Sequence, residues 1–330
     1  MDEKIIKKLN SSAYDFLRDD LKLKNNIIYL VVSGSYGYGT NGENSDIDLR
    51  GFLIEDEEVL FKLGSFEQYE DRTSDTVIYG LKKYINLALS ANPHALELLG
   101  IEDECIYMMN SYGKMIRDNS NLFLSKRVIN SFGNYALAQL RRLENALSNN
   151  SLDLVVKNKH LLNALNKQLI SFNQMYHTFD SGNINLYINE SPKKDIYMDI
   201  CLSKYPLRDF TAIYSNMNNI VKSYEKLNHR NNKKEEVKLY KHAMHLVRLL
   251  ITGRYILEGN GIKTRLENYI PLFLDIRNEK YNFDQIFEIV NSCEKDFNYA
   301  AKETNLPDIP NKEQVEDMME FIYKGFYNIK

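Results

Sequence analysis

The 330-residue sequence predicts an α+β protein: a small mixed sheet with helices, followed by a mainly α-helical domain. Three observations predict it. Residues 27–32, Ile-Ile-Tyr-Leu-Val-Val, are a short β-branched apolar run of the kind that forms a buried strand. Residues 46–54 alternate polar and apolar side chains at first, the period of a half-buried strand. From about residue 110 apolar residues recur at helical spacing with few strand signals, which sets the domain division at 1–109 and 110–330.

The elements follow in chain order. Ile5, Ile6, Leu9, Tyr14, Phe16 and Leu17 have helix-like spacing ahead of the first strand. That strand runs directly into Gly34 and Ser35, and glycines at 34, 37 and 39 let backbone N–H groups approach an anion such as a phosphate. In the second strand, from Asp46 to Ile54, a period of two places Asp46 and Asp48 on one face and Ile47 and Leu49 on the other. Asp75-Thr-Val-Ile-Tyr79 is a third strand that begins with an acid. A helix is predicted over 79–89, with Lys83 one turn from its start and within reach of a phosphate; Asn92-Pro93 ends it, and a short helix follows to Leu99.

In the second region helical stretches span Leu122–Leu147 and Leu152–Tyr176, the latter bearing His160 and Lys167. Pro192 and Pro206 make the next segment irregular or a small hairpin. A helix over 235–257 carries Lys241, His245 and Arg248 at i, i+4 and i+7, a basic face suited to phosphate. Gly259-Asn-Gly261 stops that helix, and closing helices complete the chain.

Paired carboxylates at the end of a sheet are hard oxygen ligands for Mg²⁺ or Mn²⁺. Two such ions about 4 Å apart can activate an attacking oxygen and stabilise a leaving pyrophosphate. A third acid from a neighbouring strand would complete the set. Asp75 is the choice, with Glu70 and Asp71 as competitors.

Gly34-Ser35, a short gap, Asp46-x-Asp48 and a distant acid resemble the DNA polymerase β-type nucleotidyltransferase superfamily. Within it, Gly34-Ser35-x-x-Tyr38-Gly39-Thr40 and Ser45-Asp46-x-Asp48-x-Arg50-Gly51 resemble the RNA-repair-associated, polymerase β-like group. Asp75, Tyr79-Gly-Leu-Lys-Lys83, Asn92-Pro93 and Glu97-Leu-Leu follow in that group's order, and Lys241-His-Ala-Met-His245-x-x-Arg248 is a fainter echo. The resemblance implies a polymerase β-type nucleotidyltransferase domain. It also implies Asp46, Asp48 and Asp75 as metal ligands, and Gly34 and Ser35 at the triphosphate of an NTP. Tyr38, Thr40, Ser45, Arg50, Lys83, Lys241, His245 and Arg248 are the further nucleotide-binding candidates.

Composition bounds the rest. No apolar run approaches the ~20 residues of a membrane span, and Met1-Asp2-Glu3-Lys4 does not open a secretory signal, so a cytoplasmic protein with no membrane partner is expected. Cys105, Cys201 and Cys293 are widely spaced and odd in number, which argues against a disulfide framework or zinc site and for buried or idle thiols.

The net charge of −3 conceals a partition. Residues 1–109 hold 11 Lys and Arg against 20 Asp and Glu, a net −9; residues 110–260 hold 22 against 12, a net +10; residues 261–330 hold 9 against 13, a net −4. A basic block suits a polyanionic acceptor, and it equally suits solvated helix faces. The expected activity is transfer of an NMP from an NTP to a hydroxyl or phosphate acceptor, an RNA end foremost. Modification of a small molecule or protein, or a catalytically idle nucleotide or RNA sensor, are the alternatives.

Overall fold

In the computed structural model, residues 1–42, 45–61, 63, 65–150, 158, 161–162, 165–166, 182–188, 195–203, 205, 207–228 and 236–329 are described. By its internal contacts the chain divides into two compact units, Met1–Ala136 with Met244–Lys330, and Leu137–Ala243. This partition differs from a single division at 109 and 110, because residues 244–330 belong with residues 1–136.

The first unit is built on a five-stranded mixed sheet. Its strands are β1 (Ile27–Val32), β2 (Leu49–Leu53), β3 (Gln68–Asp71), β4 (Thr76–Gly80) and β5 (Ile106–Met109), in the order β3-β4-β2-β1-β5. β2 and β4 run parallel, and the other pairs are antiparallel. Every residue of β1 is buried, as its unbroken apolar run requires. On one face Leu30, Val32, Leu49, Leu53 and Ile78 pack with Ile5 and Leu9 of α1 (Glu3–Leu9) and with Tyr14, Leu17 and Leu23. On the other, Tyr29, Phe52 and Tyr84 stack in series at centroid distances of 5.1 and 4.1 Å.

Tyr84 comes from α2 (Leu81–Leu89), which buries Leu81, Tyr84, Ile85, Ala88 and Leu89 along one stripe. α3 (Pro93–Leu99) starts where Pro93 presets the first turn and the Asn92 side chain accepts from the Ala95 N–H at 3.2 Å. The helices Ile270–Arg277, Phe283–Glu303 and Lys312–Tyr327 close this unit. Glu55, 3% exposed, accepts from the Tyr323 hydroxyl at 2.7 Å and from the Lys82 N–H at 3.0 Å, fixing the last helix to the sheet.

The second unit contains the hairpin of β6 (Gly182–Ile188) and β7 (Ile196–Leu202), and the helix Leu207–Asn228. Leu165, Leu186, Ile213 and Met217 form its core. Two long helices, Arg127–Asn150 and Glu236–Leu257, contribute residues to both units.

Several boundaries differ from the sequence reading. The second strand begins at Leu49 rather than Asp46, since its ladder partner β1 ends at Val32 and the chain there turns into the short helix Gly34–Gly37. Tyr79 is in a strand, paired with Phe52 and Gln68, so the helix expected from residue 79 starts at Leu81. The stretch 122–147 resolves into a 3₁₀ turn, Ser120–Phe123, and the helix Arg127–Asn150. The helix expected over 152–176, with His160 and Lys167, lies largely outside the described residues, as do Pro192 and Pro206.

Of the three thiols, Cys201 is exposed, whereas Cys105 and Cys293 are half-buried. Burial pushes the Cys293 thiol up to about 11 and raises that of Cys105. Because the thiolate is the nucleophile, iodoacetamide at pH 8 will alkylate Cys201 first and Cys293 last, as peptide mass spectrometry of a time course will read.

Candidate active site

One end of the sheet gathers the acids. The C-terminus of β1, the N-termini of β2 and β4 and the C-terminus of β3 meet there, because β1 and β3 run antiparallel to β2 and β4. The Ser33 N–H donates to the Asp48 carbonyl at 2.8 Å, and the Leu49 N–H donates to the Asp75 carbonyl at 3.1 Å. Backbone pairing therefore sets the Gly-Ser turn, Asp48 and Asp75 side by side.

The turn itself is a four-residue helix, Gly34–Gly37, whose cap Ser33 accepts from the Gly34 N–H at 2.6 Å. Gly34 has φ +59°, and a Cβ on it would fall 1.7 Å from Asp48 Oδ2. The Asp48 carboxylate thus lies directly on the Gly34 backbone. No residue but glycine leaves room for it in this conformation. Gly34→Ala should cost about 1–2 kcal/mol for the left-handed backbone alone and also displace the carboxylate; a lowered urea unfolding midpoint will check it.

Along residues 46–50 burial alternates: Ile47 and Leu49 are buried, Asp48 and Arg50 half-buried, and Asp46 exposed. The shared strand face expected for Asp46 and Asp48 falls on residues that precede β2. Asp75 sits at φ +46°, a left-handed conformation uncommon for a non-glycine residue, and its side chain is 59% exposed. Arg50 forks onto it, with Nη2 2.7 Å from Asp75 Oδ1 and Nη1 donating to the Asp75 carbonyl. Arg50 is therefore bound to an acid of the site.

Asp71 occupies the same end. Burial first, then the charges of Asp71, Asp46 and Asp48, raise the Tyr14 hydroxyl above its ordinary range. Both Asp71 oxygens serve a local turn, accepting from the Ser74 hydroxyl at 2.6 Å and the Thr73 N–H at 3.0 Å, and these bonds hold its carboxyl low.

Asp46 and Asp48 supply the hard oxygen donors that Mg²⁺ or Mn²⁺ takes, and the chemistry of this pair fits such an ion. Among the described residues, no group of three or more His, Cys, Asp or Glu side chains is gathered closely enough to hold a metal. Asp75 in particular directs Oδ1 to Arg50.

The remaining candidates fall in several places. Ser45 closes the turn before Asp46, its hydroxyl accepting from the Gly42 N–H at 2.9 Å. Ser35 accepts at its carbonyl from the Thr40 N–H at 2.9 Å. Thr40 is 1% exposed, and its carbonyl accepts from Arg277 at 2.5 Å. Lys83 pairs with Glu67 at 3.0 Å. Lys241 is exposed and belongs to the second unit, His245 is half-buried in the first, and Arg248 is 2% exposed.

Arg248 does not present a solvated basic face. It forms a buried ion pair with Glu97 of α3, and its guanidinium carbon lies 3.6 Å from the centroid of the Tyr38 ring. The Tyr38 hydroxyl donates to the other Glu97 oxygen at 2.7 Å. Burial lowers the Arg248 pKa, but Glu97 and Tyr38 more than offset it, so the guanidinium stays charged. Glu97 carries a role the sequence reading missed. The available signal was an acid set among Leu96, Leu98 and Leu99 in a short apolar helix, where a buried charge requires a partner.

A Gly-Ser turn after the first strand of a small mixed sheet, with Asp-x-Asp entering the adjacent strand, is the arrangement of a polymerase β-like protein. Residues 1–179 match the RNA repair pathway DNA polymerase beta family, and the chain belongs to it. No curated protein and no solved structure matches the sequence. Among the described residues no helix is long and apolar enough to cross a membrane.

Proposed function

We propose that the protein is a divalent-metal-dependent nucleotidyltransferase that moves an NMP from an NTP to a hydroxyl or phosphate at an RNA end. The observation that carries this reading is the Asp48 carboxylate seated on the Gly34 backbone, which joins the acid pair to the small-residue turn. Gly34 and Ser35 receive the β- and γ-phosphates. An acceptor oxygen attacks the α-phosphorus, the bond from that phosphorus to the β-bridging oxygen breaks, and pyrophosphate leaves. Asp75 takes the proton from an attacking hydroxyl. Asp46 and Asp48 would hold the Mg²⁺ or Mn²⁺ ions, with Asp75 completing the set only by turning Oδ1 away from Arg50, and the ions' charge, when they are bound, stabilises the attacking and leaving oxygens. Most of the rate enhancement comes from positioning and electrostatics.

RNA is the proposed acceptor on two grounds: the family's description as an RNA repair pathway, and the net charge of +10 over residues 110–260. The test is incubation with each α-labelled NTP, Mg²⁺ or Mn²⁺, and separate RNA, DNA, protein and small-molecule acceptors. Metal-dependent label on RNA, weakening steeply with salt, is the expected result. Label on protein or a small molecule retains the chemistry and replaces the acceptor. Nucleotide binding without transfer on any acceptor makes the protein a sensor.

A further inference from the structure

Tyr38, at the end of the Gly34–Gly37 turn, is held by a closed set of contacts. Its ring lies under the Arg248 guanidinium at 3.6 Å, its hydroxyl donates to one Glu97 oxygen at 2.7 Å, and Arg248 binds the other. All three side chains are buried: Tyr38 at 7%, Glu97 and Arg248 at 2%. They come from three separate parts of the chain. The loop that follows β1, helix α3 and the helix Glu236–Leu257 converge on one point.

Two further bonds hold the same loop at its carbonyls. The Thr264 hydroxyl donates to the Gly37 carbonyl at 2.9 Å, and Arg277 donates to that of Thr40 at 2.5 Å. The Glu97 contact differs in kind, because it joins a neutral hydroxyl to a charged acceptor whose own charge is compensated by Arg248. Charge-assisted bonds in a buried setting are short and strong, and the ion pair fixes the carboxylate so that only one orientation of Tyr38 satisfies it. The loop bearing Gly34 and Ser35, against which Asp48 rests, therefore inherits its conformation from an ion pair outside the proposed reaction centre.

We propose that Glu97 and Arg248 are positioning residues of the triphosphate-binding loop, acting through the Tyr38 hydroxyl and ring. The functional part of this assignment rests on the nucleotidyltransfer reading; the mechanical part does not. Arg248 accordingly serves the nucleotide without touching it. The reading from sequence that placed Arg248 at a phosphate gives way to one in which its charge is consumed by Glu97.

Tyr38→Phe isolates the idea, because it deletes the hydroxyl and keeps the ring under Arg248. Hydrogen–deuterium exchange of the full chain, read by mass spectrometry over 33–41, measures the loop directly. Binding of a non-hydrolysable NTP with Mg²⁺ measures the consequence. In Tyr38→Phe, loop amides should exchange faster while the β1 and β2 amides hold their rates, and nucleotide Kd should rise by about tenfold, the scale of one lost hydrogen bond to a charged group. Arg248→Lys, which keeps the charge and loses the planar fork, should shift both readouts in the same direction.

Unchanged loop exchange in both variants overturns the proposal, whatever the nucleotide does. Faster loop exchange with unchanged nucleotide Kd also overturns it, leaving the triad a support of the fold alone. Faster loop exchange in a protein whose parent binds no nucleotide upholds the pinning and rejects the nucleotidyltransfer reading, so the two failures are distinct.

Discussion

Asp48→Asn should lower NTP turnover by about 10²–10³-fold or more while leaving the fold intact, the scale seen when one electrostatic contributor is removed from a reaction centre. The geometry explains why the two effects separate. Asparagine has nearly the volume of aspartate, and the bond that ties this position to β1 runs from the Ser33 N–H to the Asp48 backbone carbonyl, which the substitution does not touch. What changes is the charge of the group lying on Gly34. Under the proposed reading, that charge holds a cation between the carboxylate and a triphosphate seated on the turn, since two anions would repel without one. The measurement is turnover beside thermal unfolding: an unfolding midpoint within a few degrees of the parent with turnover lost is the expected pair. Full activity in Asp48→Asn would remove Asp48 from the metal site.

How much of this could be read from the chain depends on the distance over which each feature is encoded. β1 was legible to the residue, because six consecutive apolar positions admit a buried strand and little else. The turn at Gly34 was legible, since it follows β1 directly, whereas the strand period expected to carry Asp46 and Asp48 was not formed, because β2 begins only at Leu49. Two edge strands were not legible. β3 reads Gln-Tyr-Glu-Asp, a polar ribbon with half its residues exposed, and β5 has four residues paired on one side to β1. β3 lacks the apolar alternation of a half-buried strand, and β5, although apolar, is too short for its periodicity to be read.

The unit boundary and the role of Arg248 were hidden for a different reason. Lys241, His245 and Arg248 share a helix face by spacing, but spacing cannot reveal what covers the face. Glu97 lies 151 positions from Arg248, and Thr264 lies 227 from Gly37. Such pairings are tertiary and leave no periodic trace. In the same way Asp75 was found as a strand-leading acid, while its left-handed backbone and its fork from Arg50 emerge only when β4 is laid beside β2.

The second large effect is on stability. Glu97→Gln and Arg248→Met should each destabilise the first unit by about 3–5 kcal/mol, the penalty of leaving one partner of a buried ion pair uncompensated. Both groups are nearly free of solvent, so water cannot replace the missing charge, and without Glu97 the Arg248 guanidinium would keep the face of Tyr38 but lose its carboxylate. The double variant Glu97→Gln/Arg248→Met should recover much of the loss, because it removes the charges together. Urea unfolding of the parent, both single variants and the double variant forms a closed cycle, with a shift in midpoint at constant m as the sign of changed stability. Additive losses would mean that the two residues act independently and that the ion pair is not what holds Tyr38. A double variant that is stable yet loose over residues 34–40 would separate the two duties of this pair, since the substituted glutamine and methionine side chains can fill the space but cannot present a fixed carboxylate to the Tyr38 hydroxyl.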